Sequence, residues 1–488
     1  MLPFDFSIDL HCHPTYKPLG KSFNRQPGAP SSDPGDRTSM WHYNPPTVGD
    51  KLFNFLGGLT KFSQANLTAA AHGRVWVLVT SLGSIEKWFF NNKMGTKFFS
   101  DLAQNFATGL GDKRVDAIQG MNDYFADLDL EYRFLEARDN HPVTIDRKTY
   151  TYRIVHNFSE LKEVMVANEK VVNDPEEGDD PITLALIPSI EGLHVLNCGL
   201  SGDCTPQDII NNVHRLKQHR HRPWFVTFSH HFYNELCGHS RSLGGVTAKN
   251  CDQSHGLSTG FTELGKKVLD LLLDNKDGKR IFIDVKHLSP QARNEFYQQR
   301  RTRYGNVPVI ISHGACNGLP HFGAEKSAFP LLGDTMSRGE INFYDNEIIE
   351  MVRSQGILGL QLDERRIASE EKLKQTKNSV FRNRIMHYRS ELLWNQVQYI
   401  AELLDHHGLP AWDNLAMGSD YDGIVDPLNA FWTLEEYSDL KQYLERHAHN
   451  YMKEKGHLLK NAFNKVEADV IVQNIFQNNA WRFFERWF

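Results

Sequence analysis

Seven side chains of metal-ligand type follow six short apolar runs in this sequence. His11 and His13 come after Phe6–Leu10, Glu191 after Thr183–Ile190, and His230 after Trp224–Phe228. His287 follows Arg280–Val285, His313 follows Val307–Ile311, and Asp420 follows Asn414–Met417. His11 and His13 are spaced i, i+2, which on an extended strand turns both imidazoles to the same side. Two buried imidazoles without a ligand repel when protonated and leave donors and acceptors unmet when neutral. A cation held between them removes both costs. Nitrogen and oxygen donors without thiolate suit Zn²⁺, with Mn²⁺, Co²⁺ or Fe²⁺ as alternatives, and argue against Ca²⁺ or Mg²⁺. One carboxylate able to bridge, with several imidazoles around it, is the donor set of a two-metal hydrolytic site, where two ions share a hydroxide nucleophile and clamp a developing oxyanion.

These side chains are far apart in sequence, so the elements beneath them must bring them together. Two further runs, Arg74–Thr80 and Ile357–Leu362, make eight strand candidates. Helical periodicity lies between several of them, as in Thr262–Asn275 and Asp345–Ser354. Eight alternating βα units whose strands are apolar on both faces predict an α/β fold, a closed (β/α)8 TIM barrel. The C-terminal strand ends of such a barrel converge on one mouth. The uneven spacing predicts long insertions after the first two strands, at about 14–72 and 90–180. The barrel is expected over 1–430 and a helical C-terminal extension over 431–488, whose last residues Trp481–Phe488 form an aromatic cluster fit to pack on the barrel or a partner subunit.

The charge balance, 54 basic against 60 acidic residues, gives a net −6 and no field that would recruit nucleic acid or an anionic membrane. No apolar stretch is long enough to span a bilayer, and the first residues lack the basic and apolar regions of a signal peptide, so a cytoplasmic protein is expected. The six cysteines form no C-x-x-C pair and read as free thiols, with Cys198 and Cys204 the one pair placed for a disulfide in an oxidising compartment. The acidic run 173–181 reads as a solvated loop. His194, His255 and His321 read as loop or packing residues, His231 and His239 as neighbours of the site, and Asp422 as a support or helix cap.

Seven stretches occurring in order carry a family resemblance. They are Ile8-Asp-Leu-His-Cys-His-Pro14, Ser189-Ile-Glu-Gly192, Val226-Thr-Phe-Ser-His230, Gly260-Phe-Thr-Glu-Leu-Gly265, Ile283-Asp-Val-Lys-His-Leu-Ser289, Val309-Ile-Ile-Ser-His313 and Gly418-Ser-Asp-Tyr-Asp-Gly423. Together they resemble the membrane (renal-type) dipeptidase family of zinc metallopeptidases, among the amidohydrolase-like barrels. The resemblance implies that His11 and His13 bind one metal ion, that His287 and His313 bind the other, and that Glu191 bridges them. Asp420 would lie beside the first ion and carry the proton from water to the leaving amine, while His230 would contact the substrate and its tetrahedral intermediate. The implied substrate is a small peptide or other small amide.

The sequence departs from the family at two places. The family's first motif reads His-x-Asp, whereas the second ligand here is His13, which removes a negative charge. The family also holds the peptide carboxylate with an arginine beyond the sixth strand. Arg338 is the nearest candidate for substrate binding in this chain, and Arg365 and Arg366 compete with it. These departures keep open a related hydrolase acting on a lactone, ester or cyclic or N-acyl amide, and the long insertions keep open a non-catalytic barrel. A homodimer is held open as the assembly.

Overall fold

The computed structural model describes residues 4–51, 60–90, 109–173, 180–200, 204–329, 331–376, 381–423 and 426–488. Among the described residues, ten strands form one sheet: β1 (Ser7–Cys12), β2 (Val75–Leu82), β3 (Val143–Ile145), β4 (Lys148–Ile154), β5 (Ile182–Glu191), β6 (Phe225–Thr227), β7 (Phe282–Asp284), β8 (Ile310–Gly314), β9 (Ile357–Leu360) and β10 (Leu415–Met417). Parallel pairing runs β2-β1-β10-β9-β8-β7-β6-β5, and β5 pairs again with β2 from Val77↔Ala185 to Leu82↔Ile190. The sheet therefore closes on itself as an eight-stranded parallel barrel, the (β/α)8 architecture expected from the apolar runs. Ile8, Leu10, Val77, Leu186, Val226, Ile283, Ile311, Leu358 and Leu415 are buried along it, as strands covered on both faces require.

The span 90–180 contains a feature that the apolar runs do not predict. β3 and β4 form an antiparallel hairpin whose two-residue turn, Asp146 and Arg147, has φ of 48° and 67°. Two left-handed residues in succession match the turn whose twist suits flanking strands. β4 pairs in parallel with the first half of β5, Tyr150↔Ile182 to Ile154↔Leu186, whereas β6 pairs with its last two residues. The hairpin thus extends the sheet at the N-terminal end of β5, away from the mouth. Most of the acidic run 173–181 lies outside the described residues, as does 91–108 of the same insertion. All six cysteines are free, including Cys198 and Cys204.

The last helix, Asn479–Trp487, packs on strand starts, at the opposite end of the barrel from the strand-end histidines. Trp224, just before β6, packs on Phe483, Phe484 and Phe488 with ring centroids 5.1–5.6 Å apart, and its indole N–H donates to the Trp487 carbonyl at 3.1 Å. Phe6 and Phe282, at strand starts, meet Trp481 and Trp487. No described helix is long and apolar enough to cross a membrane.

Two buried aspartates lock the strand ends that carry the site. Asp9 accepts from the Ser419 hydroxyl at 2.5 Å, the Ser419 N–H at 3.0 Å, the Tyr437 hydroxyl at 2.7 Å and the His11 N–H at 2.9 Å, joining β1 to the segment after β10. Asp284 accepts from the hydroxyls of Thr227 and Ser312, both at 2.7 Å, tying β7 to β6 and β8. Burial raises the pKa of both, against the opposing pull of these hydrogen bonds.

His447 makes the fold sensitive to acid. It is buried in the helix Tyr437–Glu454, 3.0 Å from the Ser390 hydroxyl and against the ring of His387. Burial, then His387, pulls its pKa down to about 4. The unfolded chain binds this proton more readily than the folded one, so the stability is full above the ordinary histidine range and is lost as pH falls toward 4. Thermal unfolding should show a loss of about 1–2 kcal/mol between pH 7 and pH 5 that His447→Gln removes. An unchanged pH dependence in that variant would contradict this.

Candidate metal centre

β1 delivers His11 and His13 to the mouth of the barrel, with ring planes 80° apart and centroids 5.0 Å apart. Both are fully buried. The His13 Nδ1 lies 3.1 Å from the Ser81 carbonyl, to which Nδ1–H donates, and this turns Nε2 toward the centre of the mouth. His313, on β8, is similarly set, with Nδ1 2.9 Å from the Ser312 hydroxyl. His287 follows β7 at a φ of 65°, a conformation uncommon for a residue with a Cβ.

Glu191 ends β5 at the middle of this group. Its two oxygens lie 3.5 Å from His11 Nε2, 3.1 Å from His13 Nε2, 3.4 Å from His287 Nε2, 3.6 Å from His313 Nε2 and 3.7 Å from His230 Nε2. Asp420 faces it across the mouth, 3.8 Å from His11, 3.6 Å from His13 and 3.7 Å from His313. The loop holding Asp420 is pinned by Asp422, which accepts from the N–H groups of Gln64 and Ala65 and pairs with Lys17 at 2.8 Å. Asp420 has a φ of 61°, and its N–H donates to the His11 carbonyl at 2.8 Å.

The donor set fits a cation on two observations. His11 Nδ1 and Nε2, His13 Nε2 and His287 Nδ1 are buried without a hydrogen-bond partner, which is costly unless something else satisfies them. In addition, donors at 2.0–2.2 Å from a tetrahedral ion sit about 3.3–3.6 Å from one another, the spacing found around Glu191. His11, His13, Glu191 and Asp420 form one group with donor atoms mutually within 4.8 Å, and Glu191, His230 and His287 form a second. The sequence pairs His287 with His313. In the fold, His313 Nε2 lies within reach of Glu191 and Asp420, and its ring lies 4.0 Å from that of His11. His230 is the imidazole that groups with His287.

Charge in the centre is unevenly shared. Burial opposes a charged His13, but contact with Asp420 and Glu191 outweighs it and raises the pKa to about 10. Burial lowers His287 to about 3 in spite of Glu191. It also drives His313 well below its ordinary value, helped by His11 and Lys286. Glu191 is held well below the carboxylate range, since the surrounding imidazoles overcome its burial.

Residues that sequence patterns did not single out complete the mouth. Glu86, beyond β2, is buried, accepts from the N–H groups of His231 and Phe232, and lies 2.9 Å from His230 Nδ1. His230 Nε2 is thereby turned toward Glu191. His194, read from sequence as a packing residue, stacks on His230 at 6.1 Å and shares a donor group with Glu86 and His230. Gly192, at φ 96°, allows this approach, for a Cβ there would lie 2.3 Å from His194 Nδ1 and 2.9 Å from His230 Cβ. Lys286, beside His287, is also buried, and burial followed by the charge of Arg366 lowers it to about 7.

The three arginines separate clearly. Arg338 lies on the surface, 2.5 Å from Asp334 and donating to the Glu325 carbonyl. Arg365 is bidentate on Asp363 at 2.9 and 2.6 Å. Arg366 donates to the Ser242 carbonyl.

Among solved structures, the chain is similar to a metallopeptidase from Rhodobacter sphaeroides liganded with a phosphinate mimic of the dipeptide L-Ala-D-Ala, at 11% identity and a TM-score of 0.50, with 99% of each chain covered. It shares their barrel fold with this protein and with the dipeptidase AC, a metallopeptidase, at 11% identity and a TM-score of 0.50 over 99% of this chain and 98% of that one. No protein-family model and no curated protein sequence matches the chain.

Proposed function

We propose that the protein is a metal-dependent hydrolase of the dipeptidase type, cleaving the amide bond of a small peptide. The observation that carries this reading is the convergence of four imidazole Nε2 atoms, from His11, His13, His287 and His313, within 3.1–3.6 Å of the Glu191 carboxylate, with Asp420 beside them. In this reading these six residues would hold two ions of the zinc class. When bound, such ions polarise a carbonyl oxygen and lower the pKa of water. The likeness of the barrel to metallopeptidase structures, one of them holding a dipeptide mimic, supports the reading.

The chain's own residues take the remaining roles. Asp420 is 14% exposed whereas Glu191 is 4% exposed, so Asp420 is the carboxylate of the centre that reaches substrate and solvent. It takes the proton of the attacking water and returns it to the leaving amine. His230 presents Nε2 to the mouth, with Glu86 behind its other nitrogen, and donates to the carbonyl oxygen as negative charge develops there. A non-catalytic barrel would have no physical use for unpartnered buried imidazole nitrogens.

The test is a panel of dipeptides, including ones with a D-residue on the C-terminal side, set against lactones and N-acyl amino acids. Zinc-reconstituted protein should release amino acids from a dipeptide, stop on chelation and recover on metal addition. Turnover of lactones alone would move the assignment to the related hydrolase class, and an inert protein would refute it.

A further inference from the structure

We propose that the helix Tyr124–Glu136, inside the long insertion, sets the position of His230, with Asp127 and Ser84 as its positioning residues. The proposal deepens the hydrolase reading and rests on it for the role of His230. That ring follows β6, and two side chains stand behind it. Glu86 lies 2.9 Å from its Nδ1, and His194 stacks on it at 16° with centroids 6.1 Å apart. Neither belongs to a strand. Glu86 lies on the loop after β2 and His194 on the short turn Leu193–Leu196 after β5, so other elements must fix them.

Both segments are held by the same helix. The Gly83 N–H donates to Glu131 at 2.8 Å, the Ser84 hydroxyl donates to Asp127, and the Lys87 N–H donates to the Tyr124 hydroxyl at 3.0 Å. These bonds bracket Glu86. On the other segment, Asn197 Oδ1 accepts from the Phe125 N–H at 3.1 Å, and the Tyr124 ring meets His194 edge-on at 5.0 Å. The two segments join at Ser84, whose carbonyl accepts from His194 Nε2 at 2.6 Å.

Asp127 is the fixed point. Its carboxylate is buried and accepts from Arg114 at 2.6 and 2.7 Å as well as from Ser84. Buried charge-assisted bonds hold a geometry more firmly than neutral ones at a surface. A shift of Ser84 moves its carbonyl, and with it the His194 ring that stacks on His230. It also moves Glu86, two residues further on. Both supports of His230 therefore depend on the anchoring of one serine, and displacing a group that meets the reacting atoms by about 1 Å can cost about 100-fold in rate. Glu131 is less suited to a test, because it also accepts from the Thr15 hydroxyl at 2.5 Å, two residues after His13.

The test is a double-mutant cycle with His230 in zinc-loaded protein. Ser84→Ala, which removes only the hydroxyl, and Asp127→Asn should each lower kcat for a dipeptide about 10-fold, with metal content unchanged and KM little altered. In a His230→Ala background the same changes should cost less than about twofold, because the group they position is gone. Asp127→Asn leaves the buried Arg114 beside a neutral amide, so Ser84→Ala decides the matter if that variant does not fold. Nitrogen-15 NMR of the imidazoles gives a readout independent of turnover. The His230 resonances, identified by their absence from His230→Ala, should shift in Ser84→Ala. An equal loss of kcat in both backgrounds, or no loss in either, would overturn the proposal, because Ser84 would then serve the fold alone. Unshifted His230 resonances, or loss of metal from Ser84→Ala, would overturn it too. Shifted resonances in a protein that hydrolyses no amide would keep the positioning and remove the hydrolase reading.

Discussion

Asp420→Asn should retain bound metal and lose turnover by about 10²- to 10⁴-fold, the range in which positioned acid–base groups act. The substitution keeps the size of the side chain and one oxygen donor. Asparagine also tolerates the left-handed backbone that Asp420 adopts at φ 61°, so the N–H bond to the His11 carbonyl survives. The variant loses the capacity to accept a proton between water and leaving group. Its kcat should fall far more than its KM rises, with metal content unchanged. Full activity would refute the proton role, and loss of metal would make Asp420 a ligand first and a proton carrier second.

Glu191→Gln should remove the centre itself. Five imidazole Nε2 atoms lie 3.1–3.7 Å from its two oxygens, and this carboxylate is the one negative group that all of them share. The neutral amide turns an N–H donor toward nitrogens that must act as acceptors for the ion, so metal affinity should fall at least about 100-fold and turnover should vanish. The barrel should persist, since the backbone pairings Ile190↔Val226 and Glu191↔Thr227 do not use the side chain. Circular dichroism should therefore match wild type, while the stabilisation that zinc confers on unfolding disappears. Retention of wild-type metal affinity would show that the histidines bind without the carboxylate.

The barrel was legible because parallel strands buried on both faces read as uninterrupted apolar runs, and the side chain following each run marks the mouth. Where local pattern weakened, legibility ended. The β3–β4 hairpin has strands with exposed positions such as Thr144 and a turn, Asp146-Arg147, without the glycine that usually announces it. Glu86 lies beyond the end of β2 rather than at it, and only the folding back of that loop brings it to His230. Lys286 is buried and reaches across β8 to Gln361, a contact that no local spacing encodes. Order along the chain points to Arg338, whereas pairing and position, which separate it from Arg366, are properties of the fold. Asp9 and Asp284 were readable as strand residues, but their work of tying adjacent strand ends needed partners from other strands.

The most direct test of the central claim, that these strand ends build a metal centre, is the metal content of the purified chain after zinc reconstitution and removal of loose ion. Elemental mass spectrometry should find about two ions per chain in wild type and a large loss in Glu191→Gln. A chain that stays metal-free at saturating zinc, or a variant that holds as much as wild type, would contradict the account.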